Sequence, residues 1–135
     1  MAGGLGPEQA LEAMPFARAI GVEFLDVGSD EVRARLAWSP ERTTTGGLLH
    51  GGAVMALADS VGAVVAFLNL PEGAVGTTTV SSSTNFLRGV RSGHVTAVGR
   101  PLHRGRTTIV VETELLDDDA KRVAKVTQTQ AVLRG

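Results

Sequence analysis

One stretch limits what this chain can fold into. It runs from His50-Gly51-Gly52 to Leu70, and between Ala53 and Leu68 only Asp59 and Ser60 are polar. A Gly-Gly turn feeding such a run predicts a long helix that is apolar on every side, and such a helix is buried all round. A carboxylate in mid-helix is costly in apolar surroundings unless something holds it, which makes Asp59 a functional candidate. The same run is the one candidate membrane span. Asp59 at its centre, Gly62 and its marginal length point instead to a core helix.

The flanking segments predict what surrounds that helix. Met1 to Gly6 is Gly-rich and expected to fray. Pro7 to Ile20 holds two short helical patches, Glu8 to Glu12 and Pro15 to Ile20, with Gly21 as a natural stop. Val22 to Val27 reads as a strand. Glu31 to Trp38 alternates, with Val32, Ala34, Leu36 and Trp38 on one face and Arg33 and Arg35 on the other, as in a half-buried strand. Ser39 to Gly47 is a polar loop, and Leu70-Pro71-Glu72-Gly73 closes the helix. Four more strands are expected over Gly76 to Leu87, Val95 to Leu102, Thr107 to Leu116 and Arg122 to Leu133. A single long helix against an antiparallel sheet is an α+β fold. Six strands do not cover a whole apolar cylinder, so part of the helix is expected to meet a second chain.

Composition excludes several classes. The 135 residues suffice for one domain with a core, and 43% apolar with 20% charged argues against disorder. A net charge of -1 calls for neither nucleic acid nor an anionic membrane as partner. With no Cys, disulfides, thiolate chemistry and Cys-ligated metals are out. His50, His94 and His103 are far apart in sequence, so no metal site is expected. No basic and apolar leader marks the start, and no signal peptide is expected.

The pattern resembles the hotdog fold and, within it, the PaaI-like acyl-CoA thioesterases related to the Arthrobacter-type 4-hydroxybenzoyl-CoA thioesterases. The carrying residues are His50-Gly51-Gly52 followed by Ala56-Leu57-Ala58-Asp59, with Asn85-Phe86-Leu87-Arg88 and Leu102 to Thr108 in support. The resemblance implies a hotdog thioesterase domain over residues 21–135, preceded by an N-terminal segment over 1–20. It implies hydrolysis of an acyl-CoA to the free acid and CoA, with CoA entering as substrate and no cofactor, and a cytoplasmic location. Asp59 matches the family's acid, Gly51 its backbone donor, and Thr79 its helper hydroxyl. Thr44 stands where many members carry Asn or Gln. Ala63 stands where aryl-specific relatives carry Thr. Hotdog relatives often pair dimers, so the resemblance implies a homodimer with shared sites, assembled further as a dimer of dimers, a homotetramer; the residues themselves leave dimer and tetramer open.

The chemistry can also be built from the residues. Thioester hydrolysis needs an activated water or nucleophile, and positive potential at the developing oxyanion. A helix N-terminus supplies the latter, and Gly51 and Gly52 leave the backbone open to a ligand. Gly51 and Asp59 are eight residues apart, roughly 12 Å along a helix, too far to act on one carbonyl. Asp59 of one subunit is therefore expected to work with Gly51 of another, two sites per dimer. Asp59 is either the nucleophile or the general base; the sequence leaves both open. His50 is expected to orient or gate the substrate, and Thr79 to reach the Asp59 carboxylate. Arg88, His103, Arg104 and Arg106 are candidates for CoA phosphates. Two other readings stay open: a non-catalytic acyl-CoA binder, and a hotdog enoyl-CoA hydratase or dehydratase.

Overall fold

A computed structural model describes residues 5–135. The fraying expected at Met1 to Gly6 lies, for the first four residues, outside the described residues. Two short helices come first, α1 (Pro7–Ala13) and α2 (Pro15–Ile20). Each starts on a proline, whose missing N–H costs nothing in a first turn. Gly21 ends α2 in the left-handed region, at φ 93°. Ala10 and Ala17 are buried, so the segment packs onto the rest of the chain.

Strands β1 (Glu23–Val27) and β2 (Val32–Ala37) form an antiparallel pair. In β2 the expected alternation holds, with Val32, Ala34 and Leu36 inward. Two 3-10 turns then lead to the central helix α3 (Gly51–Phe67). It ends three residues short of the expected Leu70. Asn69 is the reason: its N–H bonds to Ala66 O and its Nδ2 to Val65 O at 2.7 Å, satisfying carbonyls that a continuing helix would use. Strands β3 (Ala74–Phe86), β4 (His94–Arg104), β5 (Thr108–Leu116) and β6 (Arg122–Arg134) complete the chain.

The described residues form a six-stranded antiparallel sheet in the order β1-β2-β4-β5-β6-β3. It wraps around α3. The helix turns Val54, Leu57, Ala58, Val61 and Val65 toward the sheet, where Leu36, Val95, Ile109, Val111 and Leu115 meet them, all buried. Each of the Val, Leu and Ile side chains contributes roughly 1.5–3 kcal/mol when fully buried.

Within one chain the helix is not buried on every side: the six strands leave one stripe of it uncovered. Met55 (43% exposed) and Phe67 (47%) stay open, and Asp59 lies between them on the exposed stripe. Residues 55, 59 and 67 recur at helical spacing, so they share one face. The neighbouring strand is open as well. β3 is an edge strand of 13 residues, exposed along most of its length, with Val75, Val80 and Phe86 in solvent. It runs beside α3: the Phe86 ring lies against Gly51, and Thr77 shares a cavity with Ala63 and Phe67. The open stripe of α3 and the free edge of β3 therefore make one face.

Candidate active site

The start of α3 presents a single free donor among the described residues. His50 is the N-cap: its Nδ1 accepts from Gly52 N–H at 2.8 Å, and its carbonyl accepts from Ala53 and Val54. An Nδ1 that accepts leaves Nε2 as the ring's donor. Gly52 was expected to be open to a ligand, but its N–H is already committed to His50. A Cβ there would lie 2.9 Å from His50 Nδ1, so the imidazole occupies the space that glycine leaves. The Gly51 N–H has no acceptor within the described residues. It sits where the unpaired amides and the helix dipole favour negative charge. Phe86 covers the other side of Gly51, its Cζ 3.3 Å from where a Cβ would stand.

Gly51 opens on a cavity of about 400 Å³ that Thr44, Leu48, Phe86 and Arg88 also line. The structure thus brings three of the candidate residues, Thr44, Gly51 and Arg88, to one place. His50 and Gly52 face a different hollow, with Phe16 and Arg42.

Asp59 stands elsewhere, on the exposed stripe and two helical turns further on. Its Oδ1 accepts from Gln128 Nε2 at 3.0 Å. Ser60 is not its partner, because the Ser60 hydroxyl donates back to Ala56 O at 2.8 Å. Thr79 does not bond Asp59 directly either. Thr79 Oγ1 accepts from Gln130 Nε2 at 2.7 Å, and Gln130 Nε2 also donates to Gln128 Oε1 at 3.1 Å. Asp59 and Thr79 are therefore joined through two glutamine side chains, which sequence reasoning missed. Gln128 and Gln130 are 0% and 1% exposed. The signal was present: Ala124, Val126, Gln128 and Gln130 alternate along β6 on one face, so two amides fall on a core face.

Ala63, one turn beyond Asp59, lines an apolar cavity of about 320 Å³ with Met14, Val64, Phe67 and Thr77. The remaining cationic candidates lie at the other end of the helix. Arg104 donates to Asn69 Oδ1 and to Asp30 Oδ1, both at 2.6 Å. Asn69 follows α3, roughly 27 Å from Gly51 at 1.5 Å per residue. Within one chain, Arg104 and its hairpin neighbours His103 and Arg106 do not reach the Gly51 cavity, and the Arg104 guanidinium is already engaged.

An antiparallel sheet of six strands curled round one long helix defines a hotdog-fold protein. The chain belongs to the Thioesterase superfamily, whose family model matches residues 46–124. It is 31% identical over 128 residues to the 1,4-dihydroxy-2-naphthoyl-CoA hydrolase of Escherichia coli K12, with 93% of each chain covered. It superposes on the crystal structure of a thioesterase from Haemophilus influenzae with a TM-score of 0.90 at 27% identity, over 97% of this chain and 92% of that one. The PaaI protein of the Escherichia coli phenylacetic acid degradation operon shares the fold, with a TM-score of 0.85 at 20% identity over 96% and 92% of the two chains. The protein is accordingly an enzyme of the thioesterase class. No helix among the described residues is long and apolar enough to cross a membrane.

Proposed function

We propose that the protein hydrolyses an aryl or medium-chain acyl-CoA to the free acid and CoA, in sites shared between two copies of the chain. One observation carries this reading. On α3, an N–H without an acceptor among the described residues and an exposed carboxylate stand eight residues apart, about 12 Å by helix rise. Two copies related by a two-fold axis, with their α3 helices side by side and antiparallel, would set Asp59 of each beside Gly51 of the other. The open face of α3 and β3 supports the pairing, since a long exposed edge strand is a ready template for a second chain.

In this arrangement the Gly51 N–H donates to the thioester carbonyl oxygen and stabilises the charge that develops there. The free oxygen of Asp59, Oδ2, acts on the carbonyl carbon. It either bonds to that carbon, forming an anhydride that water then opens, or takes a proton from a water that attacks. Both routes break the C–S bond, and the thiolate leaves and is protonated. The apolar cavity at Ala63 receives the acyl group. Arg88, at the Gly51 cavity, meets a phosphate of CoA.

The test is thiol release, read colorimetrically, from a panel of aryl, short-chain and long-chain acyl-CoA esters. Turnover of aryl or medium-chain esters is expected. Binding without thiol release would favour an acyl-CoA binder, and loss of enoyl absorbance without thiol would favour a hydratase; either overturns the proposal.

A further inference from the structure

Resting on that reading, we propose that Gln128 and Gln130 are positioning residues: a buried pair of amides that fixes the Asp59 carboxylate and couples it to Thr79. The hydrogen-bond chain has only one consistent direction. An ionised carboxylate accepts and cannot donate. Gln128 must therefore turn Nε2 to Asp59, which turns its Oε1 toward Gln130. Gln130 must then present its own Nε2, and one of that nitrogen's hydrogens goes to Gln128 Oε1 while the other goes to Thr79 Oγ1. Thr79 is an acceptor in this chain, so its hydroxyl proton stays free to donate outward. Asp59 is held by Oδ1, so Oδ2 is the oxygen presented to substrate. A change at either exposed end is carried to the other by two side chains that solvent does not reach.

Two features set this pair apart from ordinary core residues. Two amides on the core face of β6 are less favourable there than methionines of similar size unless their polar atoms are satisfied. Their partners are two exposed polar residues, the acid of the hydrolysis reading and the hydroxyl of Thr79. The helix is also cut away to admit them. A Cβ at Gly62 would come within 1.8 Å of Gln128 Oε1, so even alanine at this position displaces the amide. A glycine inside a helix is otherwise unfavourable relative to alanine.

The test compares a double variant, Gln128→Met with Gln130→Met, against the native chain. Methionine fills similar volume and leaves no amide unpaired, so the melting temperature is expected to hold or rise. Turnover is expected to fall about 10- to 100-fold, the range for a lost hydrogen bond to a charged group, with KM unchanged within a factor of about two. A purely structural role predicts the reverse, lower stability with native kcat. Gly62→Ala is the second variant should the double one not fold. It leaves every polar group in the chain and pushes the Gln128 amide off Asp59, so its kcat is expected to fall in the same way.

A readout independent of turnover accompanies these assays. In Asp59→Asn, the side-chain carboxamide NMR signals of both Gln128 and Gln130 are expected to shift. Native kcat in the folded Met variants, or a Gln130 signal indifferent to Asp59, overturns the positioning role and leaves the hydrolase reading standing. Native kcat in Asp59→Asn overturns the chemistry assigned to Asp59 instead, and the carboxamide signals then decide the coupling alone.

Discussion

Asp59→Asn is expected to fold as the native chain does and to lose at least about 100-fold in turnover, some 2.7 kcal/mol on the barrier. The substitution changes one atom's chemistry and almost no volume. Asn keeps an Oδ1 that accepts from Gln128 Nε2, so the bond to the strand below survives. The amide supplies neither a nucleophilic oxygen nor a base, and the open position on α3 then holds nothing that can act on a carbonyl. Because residue 59 is solvent-exposed in the single chain, the stability change is expected to be small. The measurement pairs kcat for the best acyl-CoA of the panel with a thermal melt. A variant that melts normally and turns over normally would show that the acid does no chemistry.

Val80→Asp is expected to abolish activity by a different route. Val80 is 61% exposed on β3; it follows Thr79 in the strand but carries no polar group and is assigned no part in the chemistry. If the free edge of β3 joins a second copy, a carboxylate placed there must be desolvated twice per dimer, at several kcal/mol per ion. The chain is then expected to run as a folded monomer in light scattering, with an unchanged circular dichroism spectrum. Turnover is expected to fall at least about 100-fold, because each site would lose one of its two contributing chains. A fully active monomer would refute the shared site. An inactive dimer would place the fault elsewhere than in assembly.

Much of the fold was legible because its signals are periodic. The alternation Val32, Ala34, Leu36 fixed β2, and an apolar run of helical length fixed α3. Asp59 was legible because it is the one acid in that run. That six strands would leave part of the helix uncovered was legible too; which stripe stays open was not, because an apolar helix face looks the same whether its own sheet or another surface covers it. The structure separates the two by leaving Met55 and Phe67 exposed while Leu57 and Val61 are buried. The end of α3 was misplaced by three residues, since the bond from Asn69 to Val65 O depends on a side-chain geometry that composition does not reveal. The glutamine pair was missed for a related reason. In Val126 to Gln130 polar residues occupy both faces of the strand, so the pair shows only when the apolar alternation of Ala124 and Val126 is carried on through it; register against β3 and β5 then places it over the helix. Gly62 then reads as a place where the helix makes room for Gln128, a use that no local propensity announces.

The central claim is that a donor at the start of one helix and an acid in the middle of another act on the same carbonyl. Heterodimers test it most directly. Gly51→Pro removes the N–H at a first helical position, where proline is otherwise tolerated, and Asp59→Asn removes the acid; each homodimer is expected to be inactive. A purified heterodimer of the two variants would hold one doubly damaged site and one site with both native groups, so about half of the native turnover per dimer is expected. A heterodimer as inactive as its parents would mean that both groups must come from the same chain, and would contradict the account.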